Sequence, residues 1–308
     1  MKSPKVTIIM ATYNRAHFIV ETLHSIQNQT FKDWECLIID DGGNDNTLEA
    51  IQSIIDRDQR FSFFKRTGKH KKGLPGCRNY GLNIAKGEYI IFFDDDDIVH
   101  PDNLKTCIEV FNENDVDFCH YQKLAYLGNS PKILRNPITI QKDLSKDDIE
   151  NIVTQKIGLA SCTVMWKSQC FENCRFNENL LYAEEWECFS RLVTEGFIGV
   201  IIDNILYYNR KHSNSNTGEF YRNNTIRVNS KKQAVLLVSE NLAAKNLMTS
   251  SLLKYLSSFA MAFRDQQLLS DILKIAKAPS QIRLYLNLKF YLFPIWRVYR
   301  TTLKKLRK

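Results

Sequence analysis

The chain has 308 residues, 44% of them hydrophobic and 25% charged, a globular balance that permits one large domain or a domain with an appendage. No stretch approaches the roughly 18–20 unbroken apolar residues that a transmembrane helix needs. The net charge is +8, and the eight basic residues from Arg283 to Lys308, with no acid among them, equal the whole excess, so the body is formally neutral and does not read as a nucleic-acid binder.

In chain order, VTIIMA (6–11) is a short β-branched run. Its lysine-bearing start lacks a long apolar region and a small-residue cleavage site, so no signal peptide is read and the protein is expected to stay in the cytoplasm. Phe18, Ile19, Leu23 and Ile26 follow at helical spacing, then strand-like CLIID (36–40), a helix near 48–58 and strand FSFFK (61–65). A basic, glycine-bearing loop leads to a helix over 79–85 and to strand YIIFF (89–93), and Pro101 suits the first turn of a helix reaching about Asn114. Strand–helix alternation with continuous apolar strands predicts a mainly parallel sheet covered on both faces. Further strands are read at 117–127, 159–166 and 197–202, a helix at 183–196, and a helical pattern over about 225–278. The eight cysteines include no CxxC pair and no zinc-like spacing with histidine, so reduced, mostly buried thiols are expected.

The three clearest strands end in polar clusters: Thr12-Tyr13-Asn14-Arg15, Asp40-Asp41-Gly42-Gly43, and Asp94 to Asp97. In an open parallel sheet, ligands bind outside the carboxyl ends of the strands, so the clusters should meet on one rim. The loop from Thr67 to Asn79 adds Lys69, His70, Lys71, Lys72 and Arg78. Carboxylates beside a cationic loop suit a metal-bound, phosphate-bearing ligand, and hard oxygen donors favour Mg2+ or Mn2+. The blander alternative for the acid run is a solvated turn before the helix at Pro101. No P-loop and no GxGxxG after the first strand is present, so neither P-loop nor dehydrogenase chemistry fits.

VTIIMATYNR, LIIDDGGNDNT, RNYGLNIAKGEYIIFFDDDDIVHP and AEEWECFSRL resemble, in order and spacing, family 2 glycosyltransferases with the GT-A fold, over about residues 4–217. The resemblance implies an α/β, Rossmann-like sheet flanked by helices, and inverting transfer of a sugar from a nucleotide-diphosphate sugar, foremost a UDP-sugar, to an acceptor hydroxyl. It implies a GT-A catalytic domain over 1–220, with about 1–98 binding the nucleotide-sugar and 99–220 facing the acceptor. A helical extension over 221–282 and a basic, aromatic tail over 283–308 follow.

Carried over by position, Tyr13 and Asp41 match residues that hold the nucleobase, and Arg78 a basic residue near base and phosphates. Asp94-Asp95-Asp96 falls on the DxD motif, with Asp94 and Asp95 toward the donor and Asp96 toward the metal, Mn2+ or Mg2+. Asp97 matches an acid that follows the motif and braces the turn. Glu184-Glu185 falls where the family has Glu-Asp, which makes Glu185 the general base and Glu187 its rival. A glutamate there reaches one methylene further and remains chemically competent. His212 matches a segment that closes over the diphosphate, and Tyr182 and Trp186 flank the base on the acceptor side.

The tail RLYLNLKFYLFPIWRVYRTTLKKLRK mixes large apolar and aromatic residues with basic ones only, as an interfacial helix on an anionic membrane does, and Pro294 is expected to break it in two. Its alternative is a helix packed on the domain with a solvated basic end. Surface attachment on the inner face of the cell membrane agrees with a glycan or lipid-linked glycan acceptor, by family analogy in cell-surface polysaccharide or lipopolysaccharide synthesis. The alternative function is a non-catalytic subunit that binds a nucleotide-sugar or glycan at the membrane, a reading prompted by the glutamate at 185.

Overall fold

The computed structural model describes residues 3–128, 131–135, 137–211 and 216–306. It divides into two compact units, Met1–Arg227 and Val228–Lys308.

Among the described residues, the first unit is built on one nine-stranded sheet. Its strands are β1 (Val6–Thr12), β2 (Trp34–Asp40), β3 (Phe61–Lys65), β4 (Tyr89–Asp94), β5 (Ile98–Val99), β6 (Phe118–Tyr126), β7 (Ile140–Leu144), β8 (Val164–Lys167) and β9 (Gly199–Arg210). The spatial order is β3-β2-β1-β4-β8-β6-β9-β5, with β7 also paired to β9. The half from β3 to β4 is parallel throughout, as the apolar strands predict. The other half is mixed, because β8 runs antiparallel between β4 and β6 and so reverses the sheet's direction there. β6 and β9 are parallel to each other, and β5 and β7 pair antiparallel with β9. The region 159–166 does not form one strand: a 3-10 turn at Ser161–Thr163 precedes β8.

The helices are α1 (Ile19–Gln27), α2 (Thr47–Arg57), α3 (Leu74–Ile84), α4 (Asn103–Glu113), α5 (Ile149–Val153), α6 (Glu184–Thr194) and α7 (Asn216–Tyr221). Five consecutive residues of β4, Tyr89 to Phe93, are buried, which an uninterrupted apolar run allows only when both sheet faces are covered. One face packs Ile8, Ile38, Ile91 and Phe93 with Leu23, Ile51 and Leu104, and the other packs Leu37 and Ile39 with Cys77 and Tyr80. α3 starts five residues before the predicted 79–85. Pro75 suits its first turn, and Gly76 lies where a Cβ would sit 1.9 Å from the Lys71 carbonyl oxygen. Gly81 brings α3 onto β1, since a Cβ there would sit 2.5 Å from Ile9 Cγ2. All eight cysteines are free and buried.

The second unit is helical. α8 (Thr225–Ala244) crosses the boundary, and α9 (Ser250–Phe263), α10 (Gln266–Ile275) and α11 (Ser280–Leu306) follow. The Thr249 and Asp265 side chains cap α9 and α10 by accepting from the Leu252 and Leu268 amides. Leu256, Leu269, Ile272 and Leu286 are buried among these helices. α11 continues past position 294, so Pro294 does not divide it: a proline removes one ladder hydrogen bond, which a long helix can absorb. No described helix is long and apolar enough to cross a membrane.

Candidate active site

The sheet register itself assembles the rim. Thr12 of β1 pairs with Asp40 of β2, and Ala11 pairs with Asp94 of β4, so the three polar strand ends lie side by side. At the first end, Asn14 takes a left-handed φ of 54° and its Oδ1 accepts from the Asn44 amide at 2.8 Å, tying the β1 end to the β2 end. Asp41 accepts from Arg66 Nε at 2.6 Å and from the Gly73 amide at 2.9 Å. Tyr13 is 44% exposed, and Lys72 Nζ stands 4.6 Å from its ring centroid. The cationic loop is fixed from below: Glu178 accepts from the Lys71 amide at 2.7 Å and from Asn79 Nδ2 at 2.8 Å, and it pairs with His70 Nδ1 at 2.7 Å.

The four aspartates separate into different surroundings. Asp94 lies 3.8 Å from Arg78 Nη2. Asp95 and Asp96 face Arg15, whose Nε is 3.4 Å and 3.8 Å from their carboxylates. Asp97 is buried, accepts from the Arg210 amide at 2.8 Å, and its carbonyl accepts from Thr22 Oγ1 at 2.8 Å. Arg210 also donates from Nε to the Asp96 carbonyl at 3.0 Å and pairs with Glu21, so it fastens this turn to β9 and α1. Desolvation, reinforced by Asp96, pushes the Asp95 carboxyl up to about 7 against the pull of Thr12 and Arg15. Desolvation also raises Asp94, where Arg78 opposes it, and Asp97, where Asp94 and Asp96 add to it.

Across the cleft, Ala183 takes a left-handed φ of 65° and starts α6 with Glu184, Glu185 and Glu187 in its first turn. Glu184 is buried and accepts from Arg78 Nη1 at 3.0 Å. Glu185 accepts from the Ser161 amide at 2.9 Å and its side chain is 34% exposed. Arg78 is 3% exposed, donates to Ser161 Oγ at 2.7 Å and lies 4.0 Å from Glu185. The guanidinium therefore sits beneath both acid groups rather than on the cleft surface. Glu187, the rival base, is 3% exposed and held by Arg191 Nε at 2.5 Å, one turn along its own helix.

Of the two aromatic candidates, Trp186 needs correction. Its indole is buried and Nε1 donates to the Val153 carbonyl at 3.0 Å, so it is a core residue rather than an acceptor platform. Tyr182 stacks on Phe220 at 4.5 Å between centroids. His212 lies outside the described residues. Sequence reasoning missed Ser161, Arg210 and Glu178. A lone serine or glutamate carries no signal, and their contacts span 24 to 113 positions of the chain.

Among the described residues, no group of three or more His, Cys, Asp or Glu side chains can hold a metal by itself. The donor set nonetheless fits Mg2+ or Mn2+, which commonly take one or two carboxylates and complete their shell with substrate phosphates and water. Burial is the largest cause that raises the Asp94 and Asp95 carboxyls, and the neighbouring Asp96 adds to it in both. A cavity of about 370 Å³ lined by His100, Lys105, Glu109, Arg135 and Asn204 contains none of these carboxylates and is separate from the site.

Known proteins agree with this architecture. An uncharacterized glycosyltransferase of Rickettsia felis is 30% identical over 199 residues, 64% of this chain and 31% of that protein. The GalNAc(5)-diNAcBac-PP-undecaprenol beta-1,3-glucosyltransferase of Campylobacter jejuni is 32% identical over 193 residues, 62% of this chain and 60% of that enzyme. The chain thus spans about a third of the first relative and three fifths of the second. Among solved structures, S. aureus TarS 1-349 in complex with UDP superposes with a TM-score of 0.67 at 17% identity, covering 92% of this chain and 86% of that one. The Pyrobaculum calidifontis mannosyltransferase in complex with GDP-Man and Mn2+ gives 0.58 at 16% identity, covering 98% and 83%. These structural likenesses speak for the fold, which is GT-A. The model described as Glycosyl transferase family 2 matches residues 7–168, more than half of the chain, and the chain belongs to that family.

Proposed function

We propose that this protein is an inverting glycosyltransferase that moves a sugar from a nucleotide-diphosphate sugar, a UDP-sugar in the first place, to an acceptor hydroxyl with the help of Mn2+ or Mg2+. The observation that carries this reading is the position of Arg78, which lies 3.8 Å from Asp94 and 4.0 Å from Glu185, so the donor acids and the base share one cleft. TarS has been solved with UDP and with UDP-GlcNAc, which supports the uridine nucleotide.

On this reading, the exposed ring of Tyr13 stacks against the nucleobase and Asp41 accepts from its edge, with Lys72 near the phosphates. Asp95 takes the ribose or sugar side. Asp94 lies toward the donor, and Asp96 would hold the metal, which when bound would offset the charge developing on the departing diphosphate. Glu185 has one carboxylate oxygen fixed by the Ser161 amide, and its other oxygen takes the proton of the acceptor hydroxyl. The acceptor oxygen bonds to the anomeric carbon from the face opposite the diphosphate as the bond to that diphosphate breaks. The bonding pair leaves with UDP, the proton stays on Glu185, and the configuration inverts. Glu184 and Arg78 hold the walls in register. By analogy with the Campylobacter relative, named for an undecaprenol-linked substrate, the acceptor is a lipid-linked glycan of cell-surface polysaccharide synthesis.

The test is UDP release from a panel of UDP-sugars with Mn2+ or Mg2+. Metal-dependent release that Asp96→Ala abolishes supports the proposal. Binding of a UDP-sugar without turnover, unchanged by Glu185→Gln, favours a non-catalytic binding subunit instead.

A further inference from the structure

α11 carries an apolar, aromatic face that its own unit leaves open. Leu284, Tyr285, Leu288, Tyr291 and Leu292 are each between 51% and 64% exposed, whereas Leu286 is fully buried. With about 3.6 residues per turn, the five exposed positions fall within one third of the helix circumference, and Leu286 falls on the other side. Among the described residues, two polar contacts touch this face without covering it. Gln266 Nε2 donates to Tyr291 Oη at 2.7 Å, and Lys289 Nζ lies 5.9 Å from the Tyr285 ring centroid. The sequence keeps the same helical register through Ile295, Trp296, Tyr299 and Leu303.

The charge on α11 selects the occupant. Between Ser280 and Leu306 there are six basic residues and no acid, and Arg307 and Lys308 add two more. A second copy of the chain would bring another helix of the same sign against this one, with no acid on either to pair the bases. An anionic phospholipid surface meets both halves of the pattern, since acyl chains accept the leucines, the headgroup region accepts Tyr and Trp rings, and phosphates pair with Lys and Arg. No described helix is long and apolar enough to span the bilayer, so α11 would lie on it.

We propose that α11 is a docking surface for anionic phospholipid bilayers, with Leu284, Leu288 and Leu292 inserted at the acyl boundary and the basic residues at the phosphates. This inference stands apart from the proposed reaction, because it rests on one helix of the second unit and needs no turnover.

The experiment is co-sedimentation of the full chain with vesicles of phosphatidylcholine alone or of phosphatidylcholine with phosphatidylglycerol. The wild type should sediment with the anionic vesicles, stay in solution with the neutral ones, and be released by salt. Leu288→Glu with Leu292→Glu replaces exposed side chains, so an unchanged thermal transition is expected while sedimentation is lost. Lys304→Gln with Lys305→Gln should weaken binding about fivefold per charge, roughly 25-fold together. Three results overturn the proposal: no sedimentation of the wild type with anionic vesicles, sedimentation unaffected by both double variants, or light scattering of the vesicle-free protein showing a dimer that Leu288→Glu with Leu292→Glu dissociates.

Discussion

Arg78 has its guanidinium 5.7 Å and 5.3 Å from the ring centroids of Phe92 and Phe176 while it holds Glu184 and Ser161. Removing it leaves Glu184 as a buried carboxylate with its cation gone, a loss that costs about 3–5 kcal/mol in buried pairs. Arg78→Met is therefore expected to lower the thermal transition strongly, and Arg78→Met with Glu184→Leu to recover most of it, which calorimetry can check. Glu185 is different because its side chain is partly open to the cleft. Glu185→Gln should leave stability and UDP binding near wild type while slowing turnover about 100- to 10,000-fold, the usual contribution of a general base. The acid run and the paired glutamates could be read from the sequence because each is contiguous and sits at the end or start of a periodic segment. The role of Arg78 could not. Its partners at 161 and 184 come from another part of the chain, and only the fold shows that it is surrounded by rings and carboxylates.

At the scale of elements, the strands of the parallel half were legible because burial on both faces demands uninterrupted apolar runs. β5 and β7 escaped notice. β5 is two residues long and β7 is mostly exposed, so neither leaves a hydrophobic pattern to read. The reversal at β8 is likewise invisible locally, since direction depends on which neighbours a four-residue strand finds. β9 matters most for the site, because its last residue, Arg210, binds the Asp96–Asp97 turn through backbone and side chain. Arg210→Met should loosen that turn, and the Mn2+ concentration for half-maximal UDP release should rise about 10–100-fold, as when supporting shells of metal ligands are removed. An equal loss of rate at saturating Mn2+ with no change in the metal requirement would speak against this role. Packing sets a second demand: Gly81→Val would push a side chain into Ile9 and should destabilise the protein by about 1–3 kcal/mol.

For the whole molecule, charge is the organising quantity. The basic excess sits at one end of the chain, and the carboxylate cluster is gathered on one rim of the sheet. That cluster makes stability pH-dependent in a defined direction. Asp95 is raised from 3.8 to about 7 in the folded protein, so between those values the native state holds a proton that the unfolded chain has released. Stability is then full below about pH 4 as far as this group is concerned and is lost as pH rises through about 7. Asp94 and Asp97, raised for the same reason, act in the same direction. Without metal, the thermal transition should fall between these pH values, and Mn2+ with UDP should restore it most at the alkaline end.

The most direct measurement pairs calorimetric titration of UDP in the presence of Mn2+ with turnover of the responding UDP-sugar, for the wild type, Asp96→Ala and Glu185→Gln. Asp96→Ala is expected to lose the metal-dependent part of binding and all turnover, while Glu185→Gln binds UDP as the wild type does and turns over at most about a hundredth as fast. Turnover by Glu185→Gln at the wild-type rate would rule out Glu185 as the general base.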